Sequence, residues 1–282
     1  MENIVVVTDS TAYIPEGAHG DLTIPVIPLW LIWGDERFRD GVDIDPPTFY
    51  QRLRNSNNFP TTSQPSAGEF VDFFRKVGQD ADAVVGVFIS SELSGTVDSA
   101  ETAKAQLPEM DIRIVDSRST SMGQGFVALA AARAADAGKD VEEIVAAAEC
   151  VRDHTHVLFA VDTLEYLHRG GRIGGAARLL GTALNLKPLL HLEDGRIDAL
   201  EKVRTKRRAI ARMLDIAAER LDGQQMTEAA VLDVDAHDEG KQVARRVEER
   251  FGLELVHNTK VSPVIGSHAG PGTVGLCFYT GC

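Results

Sequence analysis

The chain has 282 residues, of which 44% are hydrophobic and 25% are charged, shares typical of a folded globular protein. Asp and Glu outnumber Lys and Arg by 42 to 29, a formal net charge of −13, so we expect no broad nucleic-acid binding. No apolar run approaches the roughly 20 residues that span a bilayer. The first residues lack the basic start and apolar core of a secretory signal. We therefore predict a cytoplasmic protein without a membrane span.

The cysteine content limits the covalent and metal chemistry that the sequence predicts. Cys150, Cys277 and Cys282 are too few for a disulfide framework. No pair has the C-x-x-C spacing of a structural zinc site, so we predict no metal.

The first half of the sequence alternates short β-branched runs with helical patterns. The predicted strands are residues 4–7, 83–89 and 112–115, and the predicted helices are residues 46–54, 66–77, 96–107, 121–137 and 140–151. Residues 24–33 form an extended segment that contains two prolines and therefore suits a sheet edge. Residues 35–45 are interpreted as a polar loop. This alternation predicts an N-terminal α/β domain, residues 1–155, built on a parallel sheet.

The second half follows a different order. A strand at 157–161 and a short helix at 163–167 precede a glycine-rich break and a helix at 176–184. Asp194-Gly195, between two alternating runs, indicates a hairpin. Helix, strand, helix and strand then follow to residue 256, with a last strand at 274–279. We predict a C-terminal α+β domain, residues 156–282, with an antiparallel or mixed sheet.

The motifs of common enzyme classes are absent or out of context. The sequence has no P-loop and no G-x-S-x-G elbow. Residues 270–275 match G-x-G-x-x-G but precede a strand. Residues 123–128 match the G-x-G-x-x-A form and open a helix, but no strand with an acidic end follows at the required distance. Dinucleotide binding is therefore not favoured.

Hydroxyl side chains occur where predicted strands end or helices begin. Residues 9–11, 90–94 and 117–121 follow predicted strands, and residues 61–64 precede the helix capped by Ser66. The carboxyl ends of parallel strands share one edge, where ligands bind, and free N–H groups at helix starts favour an anion. Few lysines or arginines accompany them, which favours a carboxylate over a polyphosphate. The alternative is that each Ser or Thr is only a helix N-cap.

Several short motifs together resemble the DegV family. They are V-T-D-S-T (7–11), T-S-Q-P-S (62–66), S-S-E-L-S-G-T (90–96), V-D-S (115–117), Y-L-H-R-G-G-R-I (166–173), K-V-R-T (202–205) and H-A-G-P-G (268–272). The resemblance covers about residues 4–279. It implies a non-catalytic protein with two α/β domains and a fatty acid bound in a tunnel between them, without a cofactor. Some family members present the lipid to a separate ATP-dependent fatty acid kinase.

The resemblance also implies a set of site residues. Thr62, Ser94 and His268 are expected at the carboxylate, although His268 has the alternative role of stiffening a Gly-Pro turn. Thr62 is expected on the loop that enters the helix capped by Ser66, and Ser94 at the start of the next helix. Arg172 and Arg204 are expected at the tunnel mouth, facing phosphate or the kinase. The alternative hypothesis is an enzyme that acts on a small carboxylate or a nucleotide in the same crevice.

Overall fold

The structure, a computed structural model, describes residues 2–56, 58–181 and 186–282. Its strands are β1 Ile4–Asp9, β2 Val26–Ile27, β3 Trp30–Trp33, β4 Glu36–Arg39, β5 Thr61–Ser63, β6 Ala83–Phe88, β7 Asp111–Asp116, β8 Thr155–Ala160, β9 Lys187–Glu193, β10 Arg196–Val203, β11 Met226–Asp233, β12 His257–Lys260 and β13 Val274–Thr280. Its helices are α1 Glu16–His19, α2 Pro46–Asn55, α3 Ala67–Val77, α4 Thr96–Lys104, α5 Ser121–Asp136, α6 Val141–His154, α7 Glu165–Arg169, α8 Lys206–Leu221, α9 His237–Phe251 and α10 Pro263–Ala269. Short 3₁₀ turns occupy Ser10–Ala12 and Gly174–Leu179.

The first sheet is parallel, in the order β2-β1-β6-β7. Successive side chains of a strand point to opposite faces, and β6 is buried on both. Val84 and Phe88 pack with α3 and α4, whereas Val85 and Val87 pack with α5 and α6. The predicted N-terminal α/β architecture is confirmed.

The second sheet is mixed, in the order β10-β9-β8-β13-β11-β12. β11 and β12 run parallel, and the other neighbours are antiparallel. Leu276 and Phe278 of β13 pack with α8 and α9, whereas Cys277 and Tyr279 join the core around α5 and α6. The predicted α+β second half and its hairpin are confirmed. The boundary between residues 155 and 156 stays a prediction.

The two sheets share one helical layer. α5 and α6 lie between them, and the ring of Phe126 on α5 sits 5.3 Å from that of Tyr279 on β13. At Gly123, a Cβ would lie 2.1 Å from Ser119 Oγ and 2.8 Å from the Val157 side chain. The glycine pattern that mimics a dinucleotide fingerprint therefore allows α5 to pack closely. The order of layers is helix, sheet, helix, sheet, helix.

A third, three-stranded antiparallel sheet differs from the sequence prediction. Its order is β4-β3-β5. β2 does lie at the edge of the first sheet, as predicted, but β3 forms the centre of this small sheet. The segment predicted as a polar loop contains β4, joined to β3 by a Gly34-Asp35 turn. Because β4 is mostly exposed and reads Glu-Arg-Phe-Arg, it lacks the apolar residues that identify a strand.

Two helical segments also differ from the sequence prediction. For the helix predicted at 176–184, the described residues show a 3₁₀ turn at Gly174–Leu179, and residues 182–184 lie outside the described part. α10 was not predicted, although Ser262 caps it and Pro263 occupies its first turn.

Within the described residues, every helix is too short or too polar to cross a bilayer.

Candidate ligand-binding site

A cavity lies between the carboxyl edge of the first sheet and the inner face of the second. Ile89 and Thr120 line it from the first sheet, Val157 and Leu232 from the second, and α10 closes it. The space between its walls is about 880 Å³ when the part open to solvent is included. The crevice predicted at this sheet edge is present.

Most of the cavity wall is aliphatic. Leu93, Leu167, Leu192, Ile197, Val261 and Ile265 contribute to it. These side chains come from both halves of the chain, and they offer a ligand no hydrogen bonds. The wall therefore suits a long apolar group.

Four polar side chains line part of this wall and are here called the head-group cluster: Thr62, Ser94, Arg172 and His268. Thr62 Oγ1 and His268 Nε2 are 2.8 Å apart, which joins β5 to α10 across 206 residues of sequence. Thr62 belongs to β5 and pairs with Leu31. It is therefore on a strand rather than on the predicted loop.

His268 is held neutral in this cluster. Burial, with a smaller contribution from the charge of Arg172, lowers the pKa of His268 to about 4. Its Nδ1 is buried and has no hydrogen-bond partner among the described residues. Gly170 allows this close packing, since a Cβ there would lie 2.0 Å from Nδ1.

Ser94 lies where it was predicted, directly before α4. Gly95 is the N-cap of α4 and supplies no side-chain cap. The hydroxyl of Ser94 is 2.8 Å from that of buried Thr96. The start of α4 thus offers a hydroxyl beside backbone N–H groups, an arrangement that favours a negatively charged group.

The two arginines assigned to the tunnel mouth lie in different environments. Arg172 lines the cavity, donating from Nε to the Leu93 carbonyl at 3.1 Å and from Nη1 to the Gly170 carbonyl at 2.8 Å. Arg204 is exposed on the turn between β10 and α8 and does not line the cavity. Of the pair, Arg172 is part of the cavity wall itself.

Thr120 and Ser121 also line the wall, and sequence reasoning gave neither of them an individual role. Thr120 is the N-cap residue of α5 but makes no capping hydrogen bond, and its Oγ1 is buried without a partner among the described residues. The run of hydroxyls at 117–121 was the available signal. It did not distinguish these two from Ser117, which bonds to the local backbone.

Comparison with known proteins places the chain among established relatives. A family model for uncharacterised proteins of the DegV family matches residues 3–281. A DegV domain-containing protein of Streptomyces coelicolor is 43% identical over 97% of both chains. The structure of a fatty-acid-binding DegV family protein from Thermus thermophilus has a TM-score of 0.90 and 37% identity over 99% of both chains. The structure of DegV from Bacillus subtilis, a fatty acid binding protein, has a TM-score of 0.91 and 34% identity over 100% of both chains. The matches extend over almost the whole sequence, and the chain belongs to the DegV family.

Proposed function

We propose that this protein binds a long-chain fatty acid in the cavity and presents its carboxylate to a separate ATP-dependent fatty acid kinase. The observation that carries the binding proposal is the composition of the wall, where an aliphatic lining adjoins the head-group cluster. Its relatives from Thermus thermophilus and Bacillus subtilis are fatty-acid-binding proteins, which supports the same ligand class. We further propose that the protein acts in the cytoplasm.

The acyl chain supplies most of the affinity in this proposal. Each buried methylene contributes about 0.8 kcal/mol, so the acyl chain of a sixteen-carbon fatty acid contributes about 12 kcal/mol before the costs of ordering. The aliphatic wall provides the contacts. Preference for chain length and unsaturation then follows the shape of the cavity.

The head-group cluster has the donors that a carboxylate needs. In the tautomer in which neutral His268 donates from Nε2 to Thr62 Oγ1, the Thr62 hydroxyl proton is free to point at a ligand oxygen. Ser94 supplies a second hydroxyl beside the start of α4, and Arg172 adds a positive charge. Each hydrogen bond to a charged group contributes about 1.5–3 kcal/mol.

The protein's role in acyl-phosphate formation is presentation. A carboxylate oxygen of the lipid attacks the γ-phosphorus of ATP, and the bond from that phosphorus to the β–γ bridging oxygen breaks, releasing ADP. This chain has no P-loop, so the kinase supplies the phosphate cradle and metal. We assign Arg204, which is exposed between β10 and α8, to the kinase contact.

The experiment that tests binding is mass spectrometry of the lipid extracted from purified, denatured protein. We expect about one fatty acid per chain. Thr62→Val combined with Ser94→Ala should reduce this amount, whereas Thr61→Val combined with Ser91→Ala, changes on the same two segments, should not. Absence of lipid together with tight nucleotide binding would favour an enzyme instead.

Presentation is tested separately with a purified fatty acid kinase and ATP. Arg204→Ala should retain the bound lipid and slow acyl-phosphate formation relative to wild type, most at low salt and less at high salt, because exposed charges act mainly on encounter and salt screens them. Loss of lipid in Arg204→Ala would contradict this assignment. Unchanged acyl-phosphate formation would remove Arg204 from the kinase contact.

A further inference from the structure

Two cysteines and a histidine meet at the end of α6, and none of them lines the ligand cavity. Cys150 and Cys282 form a disulfide. Nδ1 of His154 lies 3.5 Å from Cys282 Sγ and 4.0 Å from Cys150 Sγ. Cys150 is partly buried, and His154 and Cys282 are exposed.

The fold brings these residues together although 132 residues separate the two cysteines. Cys150 and His154 are four apart on α6 and therefore share one face of the helix. β8 begins directly after α6, and its first residue, Thr155, pairs with Tyr279 of β13. This register places the residues after β13 beside the last turn of α6.

We propose that these three residues, once the disulfide is reduced, bind a zinc ion. Zinc prefers thiolate and imidazole ligands at about 2.3 Å and 2.0 Å in a tetrahedral arrangement, which puts a sulfur and a nitrogen ligand about 3.5 Å apart. The two measured Nδ1–Sγ distances, 3.5 and 4.0 Å, are close to that value. Water fills the fourth position, as in other sites with three protein ligands.

The two sulfurs must move apart for the ion to enter. The exposed Cys282 follows Gly281, which has a φ of +68° and open space where a Cβ would be, so this segment can adjust with little steric resistance. His154 Nδ1 also lies 2.8 Å from the Cys150 carbonyl oxygen. When zinc binds, Nδ1 gives up this contact and coordinates the metal instead.

A small thiol can reduce the Cys150–Cys282 disulfide with atoms and electrons in balance. Two molecules of a low-molecular-weight thiol give two electrons and two protons to the disulfide, forming two cysteine thiols and one small-molecule disulfide. Zinc then displaces two protons as it binds both sulfurs as thiolates. A reducing compartment keeps such a pair in the thiol form, so redox state controls metal binding.

The remaining cysteine provides a contrast. Cys277 is fully buried, and burial raises the pKa of its thiol to about 12. It is therefore a poor metal ligand under ordinary conditions. Metal bound through thiolate can be assigned to the Cys150–Cys282 pair.

The test uses Co²⁺, whose visible spectrum reports tetrahedral geometry and thiolate ligation. Full-length protein is reduced, freed of reductant without oxygen and titrated with Co²⁺, and Zn²⁺ is then added to displace it. We expect one Co²⁺ per reduced chain with a thiolate charge-transfer band, none in oxidised protein, and displacement by Zn²⁺.

The variants identify the ligands. Cys150→Ser and Cys282→Ser should abolish the tetrahedral thiolate spectrum. His154→Ala should weaken Co²⁺ binding at least about 10-fold, the smallest loss typical even of groups that only position a ligand. His19→Ala, a histidine elsewhere on the surface, should bind as wild type, and circular dichroism should show all variants folded. No thiolate spectrum in reduced wild type, or one retained in Cys282→Ser, would overturn the proposal.

Discussion

The molecule contains a buried and a partly buried group of hydroxyl and acidic or basic side chains, and the two groups differ in how their polar atoms are satisfied. In the first, here called the closed network, Asp9 accepts hydrogen bonds from the backbone and hydroxyl of Thr11 and from the backbone of Ile89. Ser10 donates to Asp40 at 2.8 Å. In the head-group cluster, by contrast, Nδ1 of His268 has no partner among the described residues.

This difference distinguishes side chains that stabilise the fold from side chains that can bind a ligand. Each group has a serine in the segment after a strand of the first sheet, Ser10 after β1 and Ser94 after β6. Where every donor has an internal acceptor, the side chains hold the fold together. Where polar side chains line a cavity, as Thr62, Ser94, Arg172 and His268 do, they can bind a ligand. The closed network thus follows the alternative in which strand-end hydroxyls are structural.

The largest expected effect is on stability, from Asp9→Ala. This change leaves the backbone N–H groups of Thr11 and Ile89 without an acceptor in a fully buried place, whereas the Thr11 hydroxyl can still donate to Gln124 Oε1 at 2.7 Å. Each unsatisfied donor costs about 1–3 kcal/mol, so urea unfolding should show a loss of at least about 2 kcal/mol. Glu109→Ala, at an exposed acid, should stay within about 0.5 kcal/mol of wild type. A loss below about 1 kcal/mol for Asp9→Ala would mean that the network is not structural.

The pH dependence of stability should have opposite signs in the two groups. Burial raises the pKa of Asp40 to about 7, so in the folded state it keeps a proton that the unfolded chain has lost. Its contribution to the stability of the folded state is complete below about pH 4, the pKa of the group in the unfolded chain. The contribution is lost as pH rises to about 7. His268, with its pKa lowered to about 4, contributes above about 6.5, and this is lost as pH falls toward 4.

Two variants separate these contributions. Between pH 4 and 6.5, the stability of Asp40→Asn minus that of wild type should rise with pH, by up to about 1.4 kcal/mol per unit. For His268→Asn the same difference should fall with pH. Urea unfolding at several pH values measures both. Equal slopes in the two variants would contradict the assigned protonation states.

The next effect concerns ligand affinity without much loss of stability. Thr62→Val and Ser94→Ala each remove one proposed donor to the carboxylate, a loss of about 1.5–3 kcal/mol in binding. Competition with a fluorescent fatty acid should show weaker binding of at least about 10-fold for each. Ser91→Ala, in the same turn as Ser94 but bonded to Asp116, should bind normally. If either site variant bound like Ser91→Ala, that hydroxyl would not contact the carboxylate.

The smallest expected effect comes from Gly170→Ala. The new methyl group would meet His268 Nδ1, and overpacking typically costs about 1–3 kcal/mol. We expect a loss of stability at the lower end of this range, about 1 kcal/mol, because the imidazole can rotate away from the methyl group. The rotation would break the contact between His268 and Thr62 and should weaken lipid binding. Gly68→Ala, where the nearest atom is 4.0 Å away, serves as the control. Normal binding by Gly170→Ala would show that the orientation of His268 is unimportant.

Much of the fold could be predicted because local patterns dominate it. Buried strands such as β6 are unbroken apolar runs, and the capping box at Ser66 is present as its spacing indicates. β4 and β5 escaped prediction because one is charged and exposed and the other has three residues. Their pairing with β3 depends on tertiary contacts.

The candidate site was predictable only in part. The family motifs selected Thr62, Ser94 and His268, but not the direct contact between Thr62 and His268 across 206 residues of sequence. Arg172 and Arg204 each follow a glycine-rich or strand-end motif, and only the folded chain shows that Arg172 alone of the two lines the cavity. The pairing of Cys150 with Cys282 depends on the register of β8 and β13.

The helical layer shared by the two sheets has a consequence for how the chain folds. Phe126 on α5 has neighbours on both sides, so a fragment ending near residue 155 would leave exposed the face of α5 that Tyr279 covers. Separate halves should therefore be poorly folded and prone to aggregate, whereas the intact chain should melt in one cooperative transition. The two architectural halves are expected to behave as a single folding unit.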